Sequence, residues 1–275
     1  MVGASADVQV KRLEDKDQIL SILQGDRLYA AYAIGDLDPG MFGKCEWAAA
    51  YDGSTAKSLC LLFKGLTPNA LFCLGEPAGL AVILGSAMRP GRVFFAAKHT
   101  HLPTIRAFYD LEAVESLMRM ALTAAEFQPA GGHATLLSSR DMYDLNDLYR
   151  LGGGSGFAPY QVTQGIFYGV YADGQLAATA GTHVIAPELG IACVGNVFTH
   201  PGYRGRGFAR VCTSAVVRDV LAKGCRDVVL NVRQDNSPAL RAYRRLGFAE
   251  HSAFAEVYGT RKGSWRALLT RLWTG

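Results

Sequence analysis

The stretch YRGRGFA, residues 203–209, places two glycines and two arginines in seven positions between two apolar segments. The segment before it, IACVGNVF at 191–198, has the short apolar character of a buried strand. After it, apolar residues recur at helical spacing, namely Phe208, Val211, Cys212, Ala215 and Val216. The sequence therefore predicts a strand, a tight loop and a helix that begins at about Gly207.

This junction predicts an anion site. The first turn of a helix has unpaired N–H groups and the positive end of the helix dipole. Gly205 and Gly207 allow a tight turn that brings these donors close to a ligand, with no Cβ in the way. Arg204 and Arg206 add positive charge. The expected ligand is a pyrophosphate, and the alternative is a glycine-rich turn that only joins a strand to a helix.

A second pattern lies downstream, in NSPALRAYRRLGF at 236–248. Asn236 and Pro238 predict the start of a helix, and Gly247 predicts its end. Its apolar face comprises Ala239, Ala242, Tyr243 and Leu246. On these residues alone, the segment is a docked helix with an aromatic side chain in the core.

The two patterns, in this order, resemble the GNAT superfamily of N-acetyltransferases. NVFTHPGYRGRGFA is similar to that family's strand and R/QxxGxG/A acetyl-CoA loop, with Arg204, Gly207 and Ala209 in the motif positions. The family's NxxAxxxYxxxGF pattern is matched by Asn236, Ala239, Tyr243, Gly247 and Phe248. The resemblance covers roughly residues 133–258, as judged by the order of the motifs.

The resemblance implies an α/β (α+β) fold with two GNAT-like mixed-sheet domains in tandem. A composition break at FQPAGGH, 127–133, predicts domains at 1–130 and 131–275, the second ending in a tail helix formed by SWRALLTRLW. The matching junction of the first half, LFCLGEPAGLAV, has no arginine and no loop motif, so we expect a degenerate N-terminal domain. This layout is similar to that of relatives of glycine N-acyltransferase.

The resemblance also implies direct acyl transfer from acetyl-CoA to an amine through a tetrahedral intermediate. It places the pantetheine arm beside the strand and the pyrophosphate in the loop, and it gives a backbone N–H of the strand the task of polarising the thioester carbonyl. Tyr243 would protonate the departing sulfur and Asn236 would orient CoA, with a core tyrosine and a helix cap as the alternatives. The predicted cofactor-binding residues are Val197, Phe198, Thr199, Arg204, Gly205, Arg206, Gly207, Phe208, Ala209, Asn236 and Tyr243.

The general base is the point at which the sequence departs from the family pattern. Many members carry a glutamate on the strand before the loop, whereas IACVGNVF has no carboxylate. Glu188 and His183 lie nearby in sequence, and either could relay a proton through water. The alternatives are a solvated turn glutamate and a packed strand histidine. We take Glu188 forward as the candidate catalytic residue beside Tyr243.

Composition limits the partners. The 275 residues are 49% hydrophobic and 19% charged, which suits two globular domains. The net charge of +4 falls short of a nucleic-acid footprint. Six cysteines without a CxxC pair and six histidines without a ligand set predict free thiols and no metal. The absence of a signal peptide or an apolar membrane span favours a cytoplasmic protein without a membrane partner. A monomer or homodimer is expected.

These observations predict an acetyl-CoA-dependent N-acyltransferase that acts on the amine of a small molecule or amino-acid derivative. Residues 152–156, GGGSG, and residues 157–161 are expected to form a mobile lid. The alternative from another class is a non-catalytic sensor that binds acyl-CoA and contacts a partner protein, in which catalysis was lost with the glutamate. A third possibility is an enzyme that uses a longer acyl-CoA.

Overall fold

The structure, a computed structural model, describes residues 8–152 and 159–263, with the backbone only for 159–161. Contacts between Cα atoms divide the chain into two compact units. Unit 1 comprises residues 8–117 and 253–263 of the described chain, and unit 2 comprises 118–252. The predicted tail from Ser264 onward and residues 153–158 of the predicted lid lie outside the described residues.

The division of the chain into domains at 1–130 and 131–275 stays a prediction. The contact units differ from these ranges in two segments, because residues 118–130 lie with unit 2 and residues 253–263 lie with unit 1. Composition marks the loop at 127–133, but a strand joins whichever sheet offers it a hydrogen-bonding edge, and local composition does not reveal that edge.

Thirteen strands and nine α-helices are found in the described part of the chain. The strands are β1 Gln9–Leu13, β2 Cys45–Asp52, β3 Thr55–Phe63, β4 Ala70–Gly75, β5 Arg92–Ala97, β6 Tyr109–Leu111, β7 Glu115–Thr123, β8 Thr135–Leu136, β9 Phe167–Ala172, β10 Gln175–Ala186, β11 Ile191–Thr199, β12 Asp227–Arg233 and β13 Ala249–Arg261. The helices are α1 Lys16–Leu23, α2 Ala31–Gly35, α3 Pro39–Phe42, α4 Pro77–Val82, α5 Leu102–Phe108, α6 Met142–Arg150, α7 Pro159–Gln164, α8 Phe208–Ala222 and α9 Ser237–Arg244.

Unit 1 is a mixed sheet with helices packed on it. Strands β1 to β4 are antiparallel neighbours, β5 lies parallel to β4, and residues 255–260 of β13 lie antiparallel to β5. The parallel pair requires a crossover connection, which contains α4. The core includes Leu80, Ile83 and Ile105 from the helical segments, packed with Leu71 and Phe95 of the strands.

Unit 2 repeats this arrangement with a longer crossover helix. Its strands lie in the order β7, β12, β11, β10, β9, β8, and β11 and β12 are the parallel pair that α8 connects. Val216 and Val220 of α8 are fully buried against Ala180 and Val194 of the sheet. The predicted strand at 191–198 and the predicted helix that begins at about Gly207 are confirmed.

The order of elements is the same in both units. A strand and helices are followed by three antiparallel strands, a crossover helix, a parallel strand and a further helix, from β1 to α5 and again from β8 to α9. The predicted mixed α/β fold with one topology used twice is confirmed. Within 8–152 and 159–263, no helix is both long and apolar enough to cross a lipid bilayer.

Candidate functional site

The loop between β11 and α8 is open on the side of its glycines. Gly205 has φ 80° and Gly207 has φ 82°, both in the left-handed region that favours glycine. A Cβ built on either residue would meet no atom within 4 Å. Gly207 is the N-cap of α8 and has no side chain that could accept a hydrogen bond from the first-turn N–H groups. These donors and the positive end of the helix dipole are therefore available to an anion.

Tyr203 fixes the shape of this loop. Its side chain is buried, and its hydroxyl donates to Asp173 Oδ2 at 2.9 Å and accepts from Gln175 Nε2 at 2.9 Å. The guanidinium of Arg206 lies 4.9 Å from the centre of the Tyr203 ring, a cation–π contact. Arg204 and Arg206 both stay exposed. The loop is thus held in place by the β9–β10 hairpin, while its two cations remain accessible.

Strands β11 and β12 separate at the end nearer the loop. Their parallel register runs from the pair Ile191–Asp227 to the pair Val194–Leu230 and ends there. On the other side, Phe198 still pairs with Thr179 of β10. In the described structure, residues 195–199 therefore present main-chain N–H and C=O groups on the β12 side without a ladder partner. The predicted strand residues Val197, Phe198 and Thr199 all lie in this fork.

Tyr149 of α6 holds one peptide of the fork. Its hydroxyl donates a hydrogen bond to the main-chain oxygen of Asn196, and its ring lies 5.7 Å from that of Phe198. The peptide from Asn196 to Val197 is trans, so its C=O and N–H point in opposite directions. The Val197 N–H consequently points away from Tyr149. Burial, with a smaller contribution from the neighbouring Tyr243 phenol, raises the pKa of Tyr149.

Tyr243 lies on α9 and Asn236 caps the start of this helix, as the sequence predicts. The Tyr243 side chain is buried, its ring lies 6.0 Å from the Phe248 ring, and burial raises the pKa of its phenol. Among the described residues no side chain or peptide is hydrogen-bonded to its hydroxyl. Asn236 Oδ1 accepts from the Ala239 N–H at 3.2 Å and so caps the helix. The capping alternative for Asn236 is therefore present in the structure, whereas its orientation of CoA stays a prediction.

Glu188 lies at the opposite end of β11 from the fork. It belongs to the turn Pro187–Leu189, and the adjacent Gly190 oxygen accepts from the Arg226 N–H at 2.9 Å, where β12 begins. Six residues of strand, about 20 Å, separate Ile191 from Val197. The structure does not bring Glu188 to Tyr243 or to the loop. His183 of β10, in contrast, lies against Gly195 in the fork.

Unit 1 has no open loop at its matching junction between β4 and α4. Gly75 has a left-handed φ of 96°, but a Cβ there would lie 2.1 Å from Lys57 O. A Cβ on Gly79 would lie 2.4 Å from Ser58 Oγ. The acidic side chain of this junction is Glu76, whose Oε1 lies 3.5 Å from Lys57 Nζ. Protein atoms fill the space where unit 2 is open, and the local charge does not favour a phosphate.

Sequence reasoning missed Tyr149 and the support that Asp173 and Gln175 give to Tyr203. A tyrosine on the apolar side of a helix carries no local sign of its partner. The irregular end of β11 did have a signal, because Gly195-Asn196 is a turn-like dipeptide inside a strand and predicts a bulge.

The predicted lid and tail lie mostly outside the described residues. Of residues 152–156 only Gly152 is described, and a Cβ there would lie 2.5 Å from the Phe198 ring. Residues 153–158, the side chains of 159–161 and the tail from Ser264 lie outside the described part of the chain. The lid therefore stays a prediction.

Comparisons with known proteins identify the same region. Residues 139–248 match the model of the acetyltransferase (GNAT) family, a range that includes the loop, the fork and α9. A GNAT-family structure from Novosphingobium aromaticivorans is 25% identical over 70% of this chain and 84% of its own, with a TM-score of 0.52.

Two further solved structures share the fold over most of the chain. A GCN5-related N-acetyltransferase from Kribbella flavida is 18% identical over 87% of this chain and 96% of its own, with a TM-score of 0.60. A tandem GNAT protein from the clavulanic acid biosynthesis pathway is 13% identical over 93% and 99%, with a TM-score of 0.52. Residues 139–248 therefore match the acetyltransferase (GNAT) family, and the chain shares its fold with solved GNAT structures.

Proposed function

We propose that this chain transfers the acetyl group of acetyl-CoA to the amine of a small molecule, such as an amino-acid derivative, and that unit 2 carries the reaction. The observation that supports this most is the open loop at the start of α8. Left-handed Gly205 and Gly207 border free space there, and Arg204 and Arg206 are exposed beside it. A diphosphate is the ligand that such an uncapped helix end and two cations favour.

The chain holds the donor at two places in this proposal. The pyrophosphate lies on the N–H groups of the loop and the first helical turn, within 204–209. The pantetheine arm lies along the fork, where its amides pair with the main chain of 197–199 as an added strand would. Acetyl-CoA supplies the activated thioester, and the protein fixes the position of its carbonyl.

The Val197 N–H is the group that we assign to the carbonyl oxygen. A donor that is already oriented stabilises negative charge on this oxygen without reorganising during the reaction. Tyr149 provides the orientation, because it fixes the other face of the same peptide. Tyr149 is thus a positioning residue and does not touch the substrate.

Tyr243 is the acid that we assign to the departing thiolate. Its raised pKa keeps the phenol protonated at neutral pH. A thiolate with an ordinary pKa of about 8.5 can accept this proton when the geometry brings the two together. Transfer of the phenol proton to sulfur neutralises the leaving thiolate as the C–S bond breaks.

The class of acceptor rests on less specific grounds. The sequence has no long run of acidic or basic residues, the pattern that would predict a groove for a charged peptide. The neighbour with a tandem arrangement is described as part of clavulanic acid biosynthesis, the formation of a small molecule. Both points favour a small amine.

The proposal is tested by incubating the protein with acetyl-CoA and a panel of primary amines while free thiol is followed and acetylated products are identified by mass spectrometry. Amine-dependent thiol release supports it. Tight CoA binding without thiol release on any amine would instead favour an acyl-CoA sensor, for which the missing glutamate on β11 is the supporting observation.

Gly207→Ala should weaken CoA binding at least about tenfold in calorimetry, since it places a Cβ in the space assigned to the phosphates. Gly53→Ala in the β2–β3 hairpin is a matched control, because Gly53 also has a left-handed φ, 59°, and no atom within 4 Å of a built Cβ. Both changes should lower the free energy of unfolding by about 1–2 kcal/mol. Equal CoA affinity in the two variants would contradict the loop assignment.

CoA should bind with a stoichiometry of one per chain. Unit 1 has no open space at its β4–α4 junction, and Tyr29 donates to Cys73 O at 3.1 Å beside the end of the β4–β5 register. Calorimetric titration of the full chain measures the ratio directly. Two sites per chain, or one site that survives the pair Arg204→Glu and Gly207→Val, would show that the N-terminal half binds the donor.

Tyr243→Phe should lower kcat about 10²-fold and leave the KM for acetyl-CoA nearly unchanged, because it removes the acid and keeps the ring in the core. The thermal midpoint should stay close to that of the unmodified protein. Steady-state kinetics with the best amine of the panel measure the effect. An unchanged kcat would mean that Tyr243 is only a core residue.

Tyr149→Phe should lower kcat at least about tenfold with little effect on CoA affinity, since it frees the peptide that carries the Val197 N–H. Tyr171→Phe is the matched control. This substitution also removes a hydroxyl hydrogen bond, to Asp144 at 3.0 Å, but Tyr171 lies on β9. Equal kcat values for both variants would remove Tyr149 from the site.

A further inference from the structure

His183 is the extra residue of a bulge in β10. Thr182 pairs with Val194 and Val184 pairs with Cys193, so two consecutive residues of β11 oppose three of β10 and His183 falls outside the register. A bulge turns the side chain of the extra residue away from the regular alternation, and bulges are frequent beside active sites.

A second bulge lies on the facing strand. Thr179 pairs with Phe198 and Gly181 pairs with Gly195, so β11 contains one residue more than β10 between these pairs. Within this bulge Asn196 has φ 52°, a left-handed conformation that is uncommon outside glycine. The side chains of His183 and Asn196 hydrogen-bond to each other. The two irregularities thus form one local structure, which joins the imidazole to the fork.

Gly195 makes the space for this imidazole. A Cβ built on Gly195 would lie 2.3 Å from His183 Cε1 and 2.5 Å from its Nδ1. The ring therefore covers the place on β11 where any larger residue would put its side chain. This strand has no carboxylate, and at Gly195 an imidazole from the neighbouring strand takes up the room instead.

We propose that His183 is the general base of the acetyl transfer and accepts the proton that the attacking amine loses, either directly or through one water. The inference rests on the proposed function. As the C–N bond forms and the C–S bond breaks, the amine proton passes to the imidazole and the Tyr243 proton passes to sulfur. Solvent then takes the proton from the His183 imidazolium and returns a proton to the Tyr243 phenolate. The net products are the amide and free CoA.

The surroundings of His183 suit this role. Solvent reaches the ring, so an amine or a water molecule has access. The surrounding protein nevertheless desolvates the imidazole and lowers its pKa, and the hydrogen bond with Asn196 partly offsets this. Two titratable side chains that the structure describes near the fork, Tyr149 and Tyr243, have raised pKa values and are uncharged. The Cys193 thiol lies opposite Val184 beside the bulge. At neutral pH the site holds a neutral base and a protonated acid, the pairing that proton transfer requires.

His183→Gln should lower kcat about 10²-fold and leave the dissociation constant of acetyl-CoA unchanged. The pH profile of kcat should also change. At saturating substrates kcat reports the groups of the bound complex, whereas kcat/KM would also report protonation of the free amine. In the unmodified protein kcat falls as the pH drops through the pKa of His183, which burial holds below the ordinary value of a histidine, because the protonated ring cannot accept a proton. This acidic limb should vanish in the variant.

His99→Gln is the matched control for these measurements. His99 is also an exposed histidine with a side-chain hydrogen bond, to Ser116 Oγ at 3.0 Å, but it lies in unit 1. An unchanged kcat or a retained acidic limb in His183→Gln would overturn the assignment. If the unmodified protein binds acetyl-CoA but releases no thiol with any amine, the proposed acetyl transfer is contradicted. The role of His183 as its general base is then contradicted too.

Gly195→Ala tests the placement without removing the imidazole. The new methyl group should displace the ring, lowering both kcat and the thermal midpoint. In a His183→Ala background the same change should have little further effect on the thermal midpoint, because the obstructing ring is gone. A Gly195→Ala variant with the kcat and thermal midpoint of the unmodified protein would contradict the inferred contact.

A readout that needs no acceptor completes the test. Diethyl pyrocarbonate acylates neutral imidazoles, and peptide mass spectrometry gives the labelling rate at each histidine. Saturating acetyl-CoA should slow labelling at His183 and leave labelling at His99 unchanged. Equal rates at His183 with and without acetyl-CoA would place the imidazole away from the thioester and overturn the proposal, whichever amine is the substrate.

Discussion

The early end of the parallel ladder between β11 and β12 is the constraint on which the site depends. Beyond the pair Val194–Leu230, β11 continues for five residues and pairs on one side only. Residues 195–199 are half-buried, so water or a ligand has to satisfy the N–H and C=O groups that lack a strand partner. The fork is therefore a place that an extended, amide-containing ligand can complete.

The other features of unit 2 are consistent with keeping this fork open and oriented. The bulge at Asn196 turns one peptide out of the β10 register, and Tyr149 holds that peptide by its oxygen. The bulge at His183 brings an imidazole onto the bare surface of Gly195. Tyr203, held by the β9–β10 hairpin, shapes the loop in which β11 ends. Each contact fixes its group before a ligand arrives, which is what preorganisation requires.

Unit 1 shows that topology alone does not produce such a site. It has the same order of elements and a parallel pair, β4 and β5, joined through α4. Its junction nevertheless packs tightly, since the Cα atoms of Gly75 and Gly79 approach Lys57 and Ser58 too closely for a side chain. In unit 2 the glycines provide a turn next to empty space, and in unit 1 they provide close packing. The same residue type thus serves opposite purposes, and only the surrounding atoms distinguish them.

The sequence by itself determined the start of α8 and the position of Tyr243 on α9, because hydrophobic periodicity, glycine and helix capping act over a few residues. The fold class followed from the resemblance that the two motifs, in their order, carry. It also determined which half carries the loop, since Arg204 and Arg206 have no counterpart in LFCLGEPAGLAV. Only the tertiary structure separated His183 from Glu188, two candidates five residues apart that the hairpin sends to the fork and to the far end of β11. Strand register and bulges decide such distances, and they arise from pairing between strands rather than from local sequence.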